Sequence, residues 1–169
     1  KKLLMPAAMA RAGWDVIKGR ADIEAVGFEF NLPTPAFHAL LADVHGVALG
    51  LTPFAEPELR AAPLLRAVAR IGVGYDTVDV AALTRHNIPL MVTGIANSPS
   101  VAEQALFFMF TLAKRGAALH AIVREHRWAD RMRELPADLF GKTVLVVGFG
   151  RIGSRTAKAC LALGMLVLV

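Results

Sequence analysis

The stretch VLVVGFGRIGSRTA at residues 144–157 decides how the fold is interpreted. A run of apolar residues, typical of a buried strand, leads into GFGRIG at residues 148–153, and the apolar spacing of a helix follows. A glycine loop between a strand and a helix is the context that the dinucleotide-binding fingerprint GxGxxG requires. The stretch therefore predicts a dinucleotide site. The rival interpretation is a glycine turn that only packs a helix against a strand.

Each glycine of this loop has a separate physical role in the fingerprint. Gly148 permits the tight turn, Gly150 lets a pyrophosphate approach the backbone, and Gly153 allows the helix and the strand to pack closely. Free amides at the start of the helix would then bind the phosphates. Gly164 is expected to end the helix, and the next strand is expected from residue 165. The acidic residue that binds the ribose is expected about 20 residues on, so the sequence leaves NAD and NADP open.

The composition of the chain narrows its class. Its 169 residues are 55% hydrophobic, which suits one domain or parts of two with a sizeable core. The longest apolar run in the middle, residues 105–113, is shorter than the roughly 20 residues that span a bilayer. The single cysteine, Cys160, rules out an internal disulfide and favours a reducing, cytoplasmic setting. No signal-peptide pattern opens the sequence, and its start at Lys1 is expected to be missing or processed.

The net charge of +5 does not indicate a nucleic-acid surface. The basic residues are scattered, and the densest stretch, residues 124–133, is interrupted by acidic residues. We therefore expect this stretch to be a solvated or subunit-facing arm.

Short apolar runs alternate with helical stretches, which indicates an α/β fold with a parallel sheet. Strands are predicted at residues 46–51, 65–71, 88–92 and 143–147. A short helix is predicted from Val80 to about His86. Asp79 would be its N-cap and Asn87 its left-handed C-terminal residue.

A domain junction is predicted near Ala96, where NSPSVAE at residues 97–103 opens a helix. Two registers remain open for its start: a capping box formed by Ser100 and Glu103, or Ser98 as N-cap with Pro99 at the first helical position. The helix continues to about residue 113 and is so apolar that we expect it to be buried between two bodies.

Three segments together resemble one family. They are ARIGVGYDTVD at residues 69–79, NSPSVAEQAL at residues 97–106, and the segment from GKT at residues 141–143 through GFGRIG. In order and separation they are similar to the D-isomer-specific 2-hydroxyacid dehydrogenases, closest to the phosphoglycerate dehydrogenase and hydroxypyruvate reductase branch. The resemblance covers residues 65–169.

The resemblance implies two domains and an activity. A flavodoxin-like substrate domain is expected at residues 1–96, followed at residues 97–169 by the truncated start of a Rossmann NAD-binding domain that begins with the interdomain helix. The implied activity is hydride transfer between NAD or NADP and a D-2-hydroxy acid or 2-keto acid. A cytoplasmic homodimer with no nucleic-acid or membrane partner is expected. The alternatives are an NADH-sensing corepressor-like protein and a formate or glycerate dehydrogenase of the same superfamily.

The resemblance also assigns site residues. The amides of Val73 and Gly74 would hold the substrate carboxylate, and Asn97 would contact the substrate. The cofactor side would be formed by Ser98, Val101, Gly148, Gly150, Arg151, Ile152 and Gly153, with Arg151 and Ile152 donating amides to the pyrophosphate. Two departures stand out: VTG at residues 92–94, where the family often has Asn-Thr-Pro, and Gln104, where a histidine is common.

The family's catalytic arginine, glutamate and histidine do not map onto this sequence and are expected beyond Val169. The five histidines fall at no motif position and are predicted to lie at the surface or at helix ends: His38, His45, His86, His120 and His126. Asp76 and Asp79 could be paired carboxylates, but turn and cap roles are the favoured interpretation. Cys160 is predicted to pack rather than react, and no metal site is predicted.

Overall fold

The computed structural model describes residues 1–133 and 135–169. The chain divides into two compact units, Lys1–Gly94 and Ile95–Val169.

The first unit is built on a five-stranded parallel sheet. Its strands follow the order β2-β1-β3-β4-β5, which is the flavodoxin-like arrangement and confirms the predicted fold class. The strands are β1 (Lys2–Pro6), β2 (Glu24–Phe28), β3 (Gly46–Leu49), β4 (Ala67–Arg70) and β5 (Leu90–Val92).

Four helices connect these strands: α1 (Arg11–Lys18), α2 (Thr34–Leu41), α3 (Glu56–Ala61) and α4 (Val80–Arg85). The central strands carry consecutive apolar residues because a parallel sheet is covered on both faces. Leu4, Val47 and Val68 are fully or almost fully buried in neighbouring strands. Phe54 and Leu83, from the connections, complete the same core.

The strands predicted at residues 46–51, 65–71 and 88–92 are confirmed, but each is shorter than predicted. Residues 50–51 and Ile71 lie outside the strands, because the chain turns there at the carboxyl edge of the sheet. The sequence did not single out β1, β2 or the first three helices.

The predicted capping of α4 is confirmed. Asp79 Oδ1 accepts a hydrogen bond of 2.9 Å from the amide of Ala82, and Asn87 has a left-handed φ of 55°. Asp79 therefore serves as a helix cap. Its own amide also donates to the carbonyl of Phe54, which ties the start of α4 to the segment after β3.

Replacing Asp79 with alanine is expected to destabilise the first unit by about 1 kcal/mol, because one amide of the first turn loses its acceptor. Urea unfolding of the wild-type and variant chains would measure the difference. Asp79→Asn is the matched control, since an asparagine oxygen still accepts the hydrogen bond. Equal losses for both variants would contradict the capping role.

Glu56 fastens α3 to α4. Its carboxylate accepts hydrogen bonds from Arg60 in α3, from Arg85 in α4 and from His86. These partners, His86 foremost, lower the pKa of Glu56 below its usual value. These contacts therefore hold the two helices together.

In its described residues, 95–133 and 135–169, the second unit contains three helices, a short 3-10 helix and two strands. They are α5 (Ser98–Ala113), α6 (Gly116–Arg124), the 3-10 helix Trp128–Arg133, β6 (Thr143–Leu145), α7 (Gly153–Ala162) and β7 (Leu166–Leu168). The two strands pair in parallel, so β6, α7 and β7 form a βαβ unit. The strand predicted at residues 143–147 is confirmed in its first three residues. Gly164 follows α7 with a φ of 74°, as predicted.

Both predicted starts of α5 are wrong. The helix begins at Ser98, and Asn97 occupies the cap position without a side-chain hydrogen bond. Asn97 already has helical dihedrals, φ −93° and ψ −1°, so the helix starts ahead of either register. Pro99 is tolerated as the second helical residue, because its missing N–H has no partner within the first turn.

Most of α5 is exposed in this chain, and its burial between two bodies stays a prediction for the full-length protein. Of its residues only Ser98 and Ala102 are buried. The large side chains of Phe107, Phe108 and Leu112 are 55–77% exposed. Within the second unit α5 packs against α6 and α7.

The basic stretch is solvated, and its acidic residues pair with its arginines. Arg127 forms ion pairs with Glu125 and Asp130, and Arg133 also contacts Asp130. Exposed pairs of this kind contribute little stability. The two acidic residues therefore offset part of the charge of the four arginines in this stretch.

Among the described residues, no single helix is long and apolar enough to cross a membrane. The pair α5 and α6, taken together, passes that test of length and composition, and it is bent by 62°.

Candidate active site

The loop after β4, residues 71–79, is anchored to both neighbouring strand ends. The amide of Ile71 donates to the carbonyl of Leu49 at 2.8 Å, and the amide of Thr93 donates to the carbonyl of Gly72 at 3.1 Å. A parallel bridge joins Phe54 to Val78. The loop therefore lies at the carboxyl edge of the sheet, where open α/β sheets bind ligands.

Val73 and Gly74 present unused donors in this loop. In residues 1–133 and 135–169 no acceptor for their amides is found. The preceding Gly72 has a φ of 149°, a conformation that residues with side chains rarely adopt. Asp76 lies close by, since a Cβ on Gly74 would be 3.3 Å from its Oδ2 atom. The predicted carboxylate-binding pair is therefore brought together with free amides.

A cavity of about 510 Å³ adjoins the loop, and we name it the β3–β4 cavity. It is lined by Phe30, Asn31, Gly50, Leu51, Thr52, Pro53, Arg70 and Ile71. Arg70 Nε and Thr52 Oγ1 are buried without a hydrogen-bond partner in the described part of the chain.

The sequence did not single out Arg70 or Thr52. Arg70 stands inside the quoted segment at residues 69–79, which was a usable signal, because a basic residue at the end of a parallel strand faces the ligand edge. No sequence pattern marks Thr52 as a site residue. Its position depends on how the chain after β3 packs, which the local pattern does not encode.

The glycine loop has the geometry that the fingerprint predicts. Gly148 has a φ of 97°, and a Cβ on Gly150 would have no heavy atom within 4 Å. The amides of Gly150 and Ile152 meet no acceptor within the described ranges, 1–133 and 135–169. The cap position of α7, Ile152, has no side-chain cap. The start of α7 therefore offers open donors to an anion.

Gly153 fixes the approach of α7 to β6. A Cβ there would lie 2.0 Å from the carbonyl oxygen of Gly148 and 3.1 Å from Val146 Cγ1. No side chain fits at that distance, so only glycine lets the helix begin there. This is the packing role that the sequence assigned to the third glycine.

The remaining predicted site residues lie together at the start of α5. Asn97 is exposed, Val101 is 39% exposed, and Ser98 is buried to 4% exposure. Asn97 accepts a hydrogen bond from the amide of Val101 through its backbone carbonyl. Its side chain makes no cap hydrogen bond.

Three of the histidines make hydrogen bonds within the first unit, and two others are exposed in the second. His38 Nε2 lies 3.0 Å from Glu58 Oε1, while Glu58 Oε2 accepts from the amide of Ala55. His45 Nδ1 accepts a hydrogen bond from the amide of Lys2, and burial is the main cause that lowers the pKa of His45. His120 and His126 are exposed.

Neither the cysteine nor a metal cluster adds chemistry to the described residues. Cys160 is fully buried, and burial raises the pKa of its thiol, which disfavours the reactive thiolate. In the part of the chain that the structure describes, no three His, Cys, Asp or Glu side chains come together as metal ligands.

Comparison with known proteins identifies the family. The sequence profile described as "D-isomer specific 2-hydroxyacid dehydrogenase, catalytic domain" matches residues 7–168. The chain belongs to the D-isomer specific 2-hydroxyacid dehydrogenase family. The match includes all three segments on which the resemblance was based, and extends it to the weakly patterned residues before 65.

Individual relatives agree with this assignment. The chain is 42% identical over 110 residues to the D-3-phosphoglycerate dehydrogenase of Mycobacterium tuberculosis H37Rv, an alignment that covers 65% of this chain and 21% of that protein. A solved protein of Thermus thermophilus superposes with a TM-score of 0.88 at 26% identity, covering 99% of this chain and 55% of the other.

A third comparison shows the fold alone. The NAD-dependent formate dehydrogenase of Staphylococcus aureus, solved in complex with NAD, gives a TM-score of 0.82 at 22% identity over 99% of this chain and 55% of its own. The chain thus spans about half the length of these solved relatives and a fifth of the curated one.

Proposed function

We propose that the full-length protein that contains this chain is an NAD-dependent oxidoreductase. It transfers a hydride between the nicotinamide and a D-2-hydroxy acid or 2-keto acid, with NADP as the other candidate cofactor. The observation that carries the proposal is the pair of free amides at Val73 and Gly74 on the ligand edge of a family-typical sheet. The M. tuberculosis relative, a D-3-phosphoglycerate dehydrogenase, supports the same class of substrate.

In this proposal the first unit binds the acid and the second begins the cofactor domain. Residues 1–96 form the substrate domain and residues 97–169 the start of the NAD-binding domain. Backbone amides suit a carboxylate because they need no counter-charge that must itself be desolvated. Asn97 would contact the same substrate.

The cofactor pyrophosphate would lie over the glycine loop. Gly148 and Gly150 leave the backbone open, the amides of Arg151 and Ile152 donate to the phosphates, and Gly153 keeps α7 in place. Ser98 and Val101 would lie on the nicotinamide side. NAD supplies the hydride acceptor, and the bound state of the S. aureus relative supports this cofactor. No residue described here supplies the acid/base step, which is assigned to groups beyond Val169.

The protein is further proposed to be a cytoplasmic homodimer without nucleic-acid or membrane partners. The exposed apolar residues of α5 support a protein partner for that face, and the acidic residues that interrupt the basic stretch argue against a nucleic acid. The chain alone is proposed to be inactive. The rival functions are the corepressor-like alternative and a dehydrogenase that acts on formate or glycerate. The S. aureus relative, a formate dehydrogenase, supports formate among these.

A structure of the full-length protein with a 2-keto acid analogue tests the proposal. The carboxylate is expected within hydrogen-bond distance, about 2.7–3.2 Å, of the amides of Val73 and Gly74. A carboxylate bound near His38 or His45 instead would contradict it. NADH oxidation with glyoxylate, hydroxypyruvate and pyruvate gives the matching activity measurement, and NADH binding without turnover would favour the corepressor-like alternative.

A further inference from the structure

The β3–β4 cavity is mostly apolar where it borders the proposed carboxylate loop. Phe30, Leu51, Pro53 and Ile71 contribute hydrophobic surface to it. Arg70 and Ile71 directly precede Gly72 and the free amides of Val73 and Gly74. A ligand held by its carboxylate at those amides would therefore have this cavity beside it. Cavities of this size with apolar walls and few polar groups are typical small-molecule sites.

The charge of the cavity does not suit a phosphate. Its lining has one cationic side chain, Arg70, whose Nη1 already donates to the carbonyl of Ile71. An adjoining cavity of about 150 Å³ shares Phe30 and Thr52, and its lining adds the carboxylates of Glu29 and Glu58. A phosphate carries close to two negative charges and needs several charge-assisted donors when it leaves water. The one partly engaged guanidinium of the β3–β4 cavity falls short of that, and the carboxylates of the adjoining cavity add negative charge to the same region.

The apolar wall depends on a glycine. A Cβ on Gly50 would lie 2.4 Å from Phe30 Cε1, so the ring of Phe30 rests directly against the α-carbon of Gly50. Because Gly50 has no side chain, the Phe30 ring can pack against its backbone, and the cavity stays wide. The width and the aromatic wall both favour a branched or aromatic group as the occupant.

We propose that the β3–β4 cavity binds an uncharged, branched or aromatic side chain of the 2-keto or 2-hydroxy acid, and that the substrate is not a phosphorylated acid. The inference rests on the proposed function, and it separates this protein from the phosphoglycerate dehydrogenase relatives. Gly50 and Leu51 are then specificity-determining positions.

Steady-state kinetics of the full-length protein with NADH test this preference. The value of kcat/KM for 4-methyl-2-oxopentanoate or phenylpyruvate is expected to be at least about tenfold higher than for 3-phosphohydroxypyruvate, a difference of about 1.4 kcal/mol in barrier. Equal values, or a preference for the phosphorylated acid, would overturn the inference while leaving the dehydrogenase function intact.

Calorimetric titration of the NADH-bound protein with the same acids distinguishes failure of this inference from failure of the proposed dehydrogenase function. Tighter binding of 4-methyl-2-oxopentanoate than of 3-phosphohydroxypyruvate supports the inference even if neither acid turns over, in which case the proposed function fails alone. Equal or weaker binding of the apolar acid overturns the inference.

Two variants check the lining. Leu51 is 73% exposed, so Leu51→Lys should fold, and it is expected to shift the ratio of affinities at least tenfold towards the phosphorylated acid. Val16→Lys, at a 75% exposed position of α1 outside the cavity, is the matched control and should leave the ratio unchanged. Gly50→Ala should push the Phe30 ring inward and lower kcat/KM for phenylpyruvate more than for pyruvate. Unchanged ratios in both cavity variants would contradict the assignment.

Discussion

Replacing Gly150 with valine in the full-length protein is expected to weaken NADH binding at least a hundredfold while leaving the melting temperature unchanged. A hundredfold loss corresponds to about 2.7 kcal/mol. A Cβ at Gly150 would have no heavy atom of the protein within 4 Å, so the backbone has open space for a side chain there. That space is where the fingerprint brings the pyrophosphate against the backbone. The substitution therefore blocks the ligand without disturbing the fold.

Fluorescence titration with NADH and a thermal melt measure the two effects separately. Gly19→Val is the matched control, because Gly19 also has open space around it, has a φ of −91° and lies in the first unit after α1. That variant should bind NADH normally. Unchanged affinity in Gly150→Val would show that the glycine loop is only a packing turn, the rival interpretation of the sequence.

Gly153→Ala provides the contrasting case within the same loop. Its Cβ would overlap the carbonyl oxygen of Gly148 at 2.0 Å, so the backbone must move. Overpacking of this kind costs about 1–3 kcal/mol, and we expect this variant to lose both stability and cofactor affinity. Two glycines three residues apart are thus predicted to differ in which property they control.

The sequence predicted best where local chemistry and tertiary packing agree. The cap at Asp79, the left-handed Asn87 and the glycine loop each follow from a backbone requirement that few residue types meet. The order of the sheet followed from the resemblance, and the structure confirms it. Strand ends were placed too far out, because an apolar residue such as Ile71 can lie in the loop that follows a strand as well as in the ladder.

The sequence failed where the answer depends on distant parts of the chain. The start of α5 is set by backbone dihedrals at Asn97 rather than by a side-chain cap, so cap patterns gave two wrong registers. The predicted burial of α5 between two bodies also depends on surfaces outside the helix, and Phe107 and Phe108 are exposed in this chain. The β3–β4 cavity is lined by residues at the ends of three strands. No local sequence pattern predicts that Thr52 and Arg70 line the same cavity.

The 169 residues alone are expected to show no dehydrogenase activity. Hydride transfer to a keto acid requires a cation to clamp the substrate and an acid/base group near neutral pKa. The resemblance assigns the family's arginine, glutamate and histidine to no position in this chain, and we expect them beyond Val169. In the described residues the histidines near carboxylates, His38 and His86, are paired with Glu58 and Glu56 in α3, and Glu58 also caps its own helix.

The second unit is also expected to associate or unfold when this chain is expressed by itself. Its sheet has two strands, β6 and β7, and Leu145, Leu166 and Leu168 are 56–64% exposed. Unpaired strand edges with apolar side chains invite pairing with other chains. The first unit has a five-stranded sheet and a continuous buried core, and we expect it to stay folded. Limited proteolysis should therefore leave a resistant fragment that ends near Gly94.

Expression of this chain beside the full-length protein tests the loss of activity directly. NADH absorbance is followed with glyoxylate, hydroxypyruvate and pyruvate under the same conditions, and the full-length protein is the control for substrate choice. The short chain is expected to give no turnover above background. A rate within about tenfold of the full-length protein, equivalent to about 1.4 kcal/mol in barrier, would place the essential groups between Lys1 and Val169. His38 with Glu58 would then be the first pair to substitute, since it adjoins the cavity lined by Phe30 and Thr52.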